Sequence, residues 1–122
     1  MTDKNAAWPT EIRLNSGKDQ LSVSFDGGRS FEYTAEYLRV MSPSAEVQGH
    51  SPDQRVTVPG KSGVLVKAVE PVGNYAVKIV FDDGHDTGLY SWEYLLELGE
   101  GHAERWRVYL EELESKGLSR TG

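Results

Sequence analysis

The sequence predicts an α+β domain with a mostly antiparallel sheet, built from two similar hairpin-plus-helical-turn units and closed by a C-terminal amphipathic helix. Three observations carry this. Asp26-Gly27, then Tyr33-Thr34-Ala35-Glu36-Tyr37-Leu38, returns 57 residues later as Asp83-Gly84, then Tyr90-Ser91-Trp92-Glu93-Tyr94-Leu95, with six identities over thirteen aligned positions. Each copy reads as strand, tight turn, strand and a capped helical turn: Asp-Gly supplies the positive φ of a hairpin, and Thr34 or Ser91 offers a hydroxyl to the first free amides of a helix. Beyond the second copy, Trp106, Tyr109, Leu110 and Leu113 recur at i, i+3, i+4 and i+7, the apolar stripe of a helix from His102 to Lys116 that Gly117 stops.

In chain order, residues 1–10 form a polar tail ending in Trp8-Pro9, with Trp8 expected to tuck onto the body. Ile12 and Leu14 alternate with Arg13 and Asn15 as a half-buried strand, and Leu21, Val23 and Phe25 alternate with Ser22, Ser24 and Asp26 as a second. Asp26-Gly27-Gly28 turns the chain into a partner strand from Ser30 to Tyr33. Thr34 then caps a short helix carrying Tyr37 and Leu38. Residues 42–63 show no periodicity and hold Ser-Pro-Ser, Ser-Pro and Pro-Gly-Lys-Ser-Gly loop chemistry, with Val56-Thr57-Val58 as a short edge strand. Val64 to Glu70 and Tyr75 to Phe81 are strands about Pro71-Val72-Gly73-Asn74, with Tyr75, Val77, Ile79 and Phe81 on the core face. Gly88-Leu89-Tyr90 returns briefly, and Ser91 caps a helix to about Leu98 that Gly99-Glu100-Gly101 breaks. Glu112 and Lys116 are an i,i+4 pair on the wet side of the last helix. The chain divides into the tail 1–10, a body 11–98, and a C-terminal helix and tail 99–122.

Composition narrows the function classes. The formal net charge is −6 and the lysines and arginines are scattered, so the basic stripe that phosphate binding requires is missing and no nucleic-acid partner is expected. No apolar run approaches the ~20 residues of a membrane helix, so no membrane partner is expected either. With no cysteine there is no disulfide, thiolate metal site or cysteine nucleophile, which suits a reducing cytoplasm. The residues do not set an oligomeric state.

Three motifs bear on chemistry. Gly60-Lys61-Ser62 resembles the end of a phosphate-binding loop, but the position of the leading glycine is Arg55 and no amphipathic helix follows, so it reads as surface loop. His102-Ala103-Glu104 satisfies H-x-E, a fragment of an iron facial triad, yet no histidine follows and His102 reads as a solvent-side helix start. Asp82-Asp83-Gly84-His85-Asp86 gathers three carboxylates and a histidine. It reads either as a turn with a polar rim or as a ligand, acid or base centred on His85, which His50 in the long loop could join.

The strings Glu36-Tyr37-Leu38-Arg39-Val40-Met41-Ser42-Pro43-Ser44-Ala45-Glu46 and Phe81-Asp82-Asp83-Gly84-His85-Asp86-Thr87-Gly88-Leu89-Tyr90-Ser91-Trp92-Glu93-Tyr94-Leu95, with Val72-Gly73-Asn74-Tyr75-Ala76-Val77 before the second, resemble the DUF971 family, the gamma-butyrobetaine hydroxylase-like N-terminal domain, over about Pro9 to Gly99. The resemblance implies three settings: a zinc-holding domain ahead of the iron/2-oxoglutarate barrel of carnitine-synthesis hydroxylases, an appended domain on P-loop scaffold ATPases that handle iron–sulfur clusters, and a stand-alone bacterial protein. It also implies where zinc would sit. The hydroxylase pattern L-R-x-x-C-P-C-x-x-C falls on Leu38 to Val47, so the cysteine positions are Ser42, Ser44 and Val47, and only His85 of the D-G-H motif is a ligand type. Neutral hydroxyls and a valine do not replace thiolates around tetrahedral zinc, so no metal and no cofactor is expected.

The combined expectation is a stand-alone, non-catalytic accessory or protein-interaction domain, its partner an iron–sulfur scaffold ATPase or an iron enzyme. The alternative is a small metal- or ligand-binding protein using His85; an oxidoreductase would rest on family association alone. Arg39, His50, His85 and Trp92 are the candidate binding residues. Arg39 and the loop from Ser42 to Gly63 are expected to meet the His85 turn in one concave patch if the two units pack as a symmetric pair, while Trp92 suits either contact or core.

Overall fold

Alternation in Leu21-Ser22-Val23-Ser24-Phe25 produces what it predicts. These residues form β2 (Gln20–Phe25), with Leu21, Val23 and Phe25 buried, between β1 (Pro9–Leu14) and β3 (Ser30–Thr34). The structure, a computed structural model, describes residues 8–49 and 54–121. Gly27 and Gly28 take φ of 81° and 86°, the left-handed values for which the turn needs glycine. Thr34 Oγ1 accepts from Tyr37 N–H and starts α1 (Ala35–Val40). The second unit repeats the plan as β4 (Val66–Val72), β5 (Ala76–Phe81), β6 (Leu89–Ser91) and α3 (Trp92–Glu100), where Ser91 Oγ accepts from Tyr94 N–H. Between the units lies the one-turn helix α2 (Ala45–Gln48), and α4 (His102–Ser115) follows the second. There are thus two three-stranded sheets, β1-β2-β3 and β4-β5-β6, with every pairing antiparallel.

The internal repeat runs deeper than its identities. β1 and β4 share no recognisable sequence, yet each begins 57 residues from the other, and each carries a register shift at the same place, Pro9/Glu11 and Val66/Ala68. The units also bind each other reciprocally. Tyr33 Oη donates to Leu95 C=O at 2.6 Å and Tyr90 Oη to Leu38 C=O at 2.5 Å. Tyr37 Oη donates to Leu98 C=O at 2.8 Å and Tyr94 Oη to Met41 C=O at 2.6 Å. In each pair the donors and the acceptors are both 57 residues apart, so the two halves meet as an isologous pair about a pseudo-two-fold axis. Burial lifts the Tyr33, Tyr37 and Tyr90 hydroxyls well above their ordinary pKa, keeping them protonated donors.

One core spans both units and the last helix, with Tyr109 and Leu113 of α4 buried in it. Several sequence expectations are corrected. Trp8 is 56% exposed rather than tucked in, its C=O accepting from Asp26 N–H, and Pro9 and Thr10 belong to β1 rather than to a tail. Val56-Thr57-Val58 is not a strand, because Val56 N–H is taken by Val47 C=O behind α2. Tyr75 lies in the β4–β5 turn, largely exposed, and Ala76 takes its place inside. Gly99 and Glu100 continue α3, and only Gly101 breaks it. Gly99 is needed there for contact, since a Cβ would stand 2.4 Å from Phe31 Cγ. The His102 ring packs 4.2 Å from that of Tyr37 instead of facing solvent. Glu112 pairs with Arg55, and Lys116 donates to Thr57 Oγ1, so their expected mutual pair gives way to the 54–59 segment.

Candidate functional site

The Asp83-Gly84 turn and the chain leaving α1 come together as the repeat requires. Gly84 has φ of 92°, which turns the chain so that His85 C=O accepts from Phe81 N–H and the imidazole points inward, 3% exposed. Against it lies the 42–48 segment. Ser42 Oγ is 2.8 Å and Ser44 Oγ 3.4 Å from His85 Nε2, and Glu46 Oε2 of α2 is 3.2 Å from His85 Nδ1. Ser44 N–H donates to Ser42 Oγ, and Thr87 Oγ1 donates to the other oxygen of Glu46.

Asp83 anchors the rim. Its Oδ2 accepts from Arg39 Nε at 2.8 Å and Lys61 Nζ at 2.6 Å, and its Oδ1 from His85 N–H at 3.1 Å. Partial burial opposes ionisation of Asp83, but the hydrogen bonds from Lys61, the His85 amide and Arg39 outweigh it and bring its pKa to about 2. His85 moves the other way for an imidazole: burial first, then the Arg39 charge, lower its pKa, with Glu46 partly offsetting them. The ring is therefore neutral near pH 7. Arg39 Nη1 is buried with no hydrogen-bond partner among the described residues.

Ser42, His85 and Glu46 stand in the order nucleophile, base and carboxylate, as in a hydrolase triad. Reaction needs an open approach, and Ser42 has none. It is fully buried, with the Gly88 backbone so close that a Cβ there would stand 2.5 Å from Ser42 Oγ. Nor do these residues fit zinc. Ser42, Ser44 and His85 converge and Val47 is buried nearby in sequence, but the two hydroxyls are neutral and engaged with the imidazole itself. Among the described residues, no three His, Cys, Asp or Glu side chains are grouped to hold a metal.

Of the sequence candidates, Arg39 and His85 are brought together through Asp83, but both face inward rather than forming an exposed patch. Trp92 is half-buried elsewhere, its Nε1–H donating to Asn74 C=O at the β4–β5 turn. His50 lies outside the described residues. Sequence reasoning does not reach Glu46 or Lys61 as site residues, and it meets Asp83 only as one carboxylate of the turn around His85. Asp83 had a signal in its turn glycine, whereas a one-turn helix leaves no periodicity to place Glu46.

The profile of the gamma-butyrobetaine hydroxylase-like N-terminal family matches residues 12–96. Two solution NMR structures are similar over nearly the whole chain. One is 46% identical with a TM-score of 0.80, covering 93% of this chain and 90% of its own. The other is 47% identical with a TM-score of 0.81, covering 98% and 90%. A crystal structure from Acidithiobacillus ferrooxidans ATCC 23270, of a protein with unknown function in the DUF971 family, is 38% identical with a TM-score of 0.64, covering 80% of this chain and 98% of its own. No curated protein matches. The chain belongs to the gamma-butyrobetaine hydroxylase-like N-terminal family.

Proposed function

We propose that this family member is a non-catalytic accessory domain that acts by docking on a protein partner, an iron–sulfur scaffold ATPase or an iron-dependent enzyme, in the cytoplasm. The observation that carries the reading is the division of labour between its polar centre and its surface. Ser42, Ser44 and His85 are buried and only Glu46 of the cluster reaches solvent, so the Ser42 hydroxyl offers a substrate no open approach. Contact-type side chains stand outside instead: Tyr75 is 55% exposed beside half-buried Trp92, and Leu89 projects from β6, an edge strand of its sheet. Tyr75 C=O accepts from Trp92 N–H, so the two aromatic positions are adjacent on the rim. Aromatic residues dominate binding energy at protein interfaces, and an edge strand offers free backbone groups. The family settings supply the iron-linked partner classes.

The test is titration of purified candidate ATPase and iron enzyme against the whole chain by calorimetry. A saturable complex weakened about tenfold by Tyr75→Ser with Leu89→Ser, at unchanged melting temperature, supports the reading. Turnover of an ester or 2-oxoglutarate lost in Ser42→Ala, with neither partner bound, overturns it. A second reading, ligand binding at His85, is favoured by the convergence of Ser42 and Ser44 on Nε2 and by the orphaned Arg39 Nη1. It requires the 42–48 segment to open, and metal content after purification tests its metal form.

A further inference from the structure

Residues at the ends of α1 and α2 line, with residues of α3 and α4, a cleft of about 220 Å3 that the His85 cluster does not enter. Its floor is apolar, made by Met41 and Val108 with the ring of Tyr94. Polar groups on its wall are mostly spent. The Tyr94 hydroxyl donates to Met41 C=O, and Gln48 Nε2 to Ser42 C=O. Arg55 is paired with Glu112, and Glu104 with Arg107. Arg105 is the exception. It is half-buried, its guanidinium carbon stands 6.0 Å from the Tyr94 ring centroid, and among the described residues it has no carboxylate partner. Its charge is felt in the cleft: burial raises the Tyr94 pKa, and Arg105 opposes that rise more than any other cation.

A guanidinium without a carboxylate partner among the described residues, set over an apolar floor, matches the usual make-up of a small-molecule site: a largely apolar pocket with a few placed polar groups. The volume is below the ~300 Å3 lower end of drug-sized pockets, so the occupant is small. A single uncommitted fork holds a single carboxylate, with the Arg55 charge behind it partly neutralised by Glu112. We propose that this cleft binds a small monocarboxylate with an apolar body, the carboxylate forked on Arg105 and the body lying over Met41, Val108 and the face of Tyr94. The site is independent of the protein-docking rim at Tyr75.

Benzoate is the probe, titrated into the whole chain and followed by amide chemical shifts. Benzyl alcohol serves as the body without the charge, and inorganic phosphate as the charge without the body. Saturable shifts at Met41, Tyr94 and Val108 with benzoate alone are expected. Arg105→Gln should weaken benzoate at least about tenfold, and Arg105→Lys less so, because an ammonium lacks the fork. Val108→Trp fills the floor and should abolish binding with Arg105 intact, which decides the matter if Arg105→Gln does not fold. The proposal is overturned if benzoate fails to saturate at millimolar concentration, if phosphate or benzyl alcohol binds as well, or if the Arg105 and Val108 variants bind benzoate like the parent.

Discussion

Replacing Tyr90 by phenylalanine removes one hydroxyl from a fully buried ring. That hydroxyl donates to Leu38 C=O at 2.5 Å. Leu38 lies in the last four residues of the six-residue α1, where carbonyls have no partner within the helix. The amide four residues on, Ser42 N–H, goes to Arg39 C=O instead. The substitution therefore strands a buried acceptor and should cost about 2 kcal/mol, above the ~1 kcal/mol of an ordinary net hydrogen bond. Tyr33→Phe is the internal control. It makes the same chemical change at the equivalent position, but its acceptor, Leu95 C=O, lies inside α3 with the Gly99 amide four residues ahead in the same helix. That acceptor keeps a partner, so the loss should be about 1 kcal/mol. In urea, Tyr90→Phe should lower the unfolding midpoint about twice as far as Tyr33→Phe at unchanged slope. Equal losses, or a larger loss for Tyr33→Phe, would refute the reasoning, because the cost would then not come from the stranded carbonyl.

Three further outcomes are expected. Because the folded-state pKa of His85 is lowered, the unfolded chain takes up that proton first; its contribution is whole above about pH 6.5 and drains away as pH falls toward the folded value. His85→Gln should accordingly flatten the melting temperature between about pH 7 and 5, and a parallel decline in both proteins would count against it. Gly99→Ala drives a Cβ into the Phe31 ring and should cost about 1–3 kcal/mol in denaturant unfolding, largely recovered by adding Phe31→Leu. Arg120→Ala takes the bidentate partner from Glu36, whose side chain is 7% exposed. With Arg120 itself 47% exposed, the unfolding free energy should fall by about 2 kcal/mol, short of the 3–5 of a fully buried pair, and Arg120→Lys should restore only part.

The elements most legible in the sequence are those whose signal is local. Alternation places β2, Asp-Gly places both turns, and the hydroxyls of Thr34 and Ser91 mark where α1 and α3 begin. The equivalence of β1 and β4 is invisible because edge strands with one covered face accept many sequences, so only pairing and a shared register shift reveal it. Tyr75 is misplaced inside by alternation because the Gly73-Asn74 turn extends one residue further, ending the period before the core begins. At the site, His85 is legible beside a turn glycine. Its partners are 39 to 43 positions away, from Ser42 to Glu46, and meet it only through the packing of one unit on the other. Arg105 looks like any helix-surface arginine until the cleft beneath it is seen.

The pseudo-two-fold axis also shows what the fold itself does not require. In the first unit the Phe31 ring lies 6.1 Å from Phe25 and leans on Gly99. Moved by 57 residues, Phe31 becomes Gly88 and Gly99 becomes Ser42, so the large and small partners no longer match. In the second unit the imidazole of His85 stands 6.1 Å from Phe81, where the first unit has a phenyl ring beside Phe25. One half thus closes this position with an apolar plug, and the other with an imidazole and two hydroxyls. Burying those polar groups costs free energy unless each finds a partner, while a phenyl ring carries no such condition. Stability alone would favour the plug in both halves. The polar cluster, completed by Glu46 and bounded by Asp83, is therefore the part of the molecule that departs from its own repeat against the easier packing solution. The Ser42–His85 contact is thus a choice of this sequence that the pseudo-two-fold repeat does not itself impose.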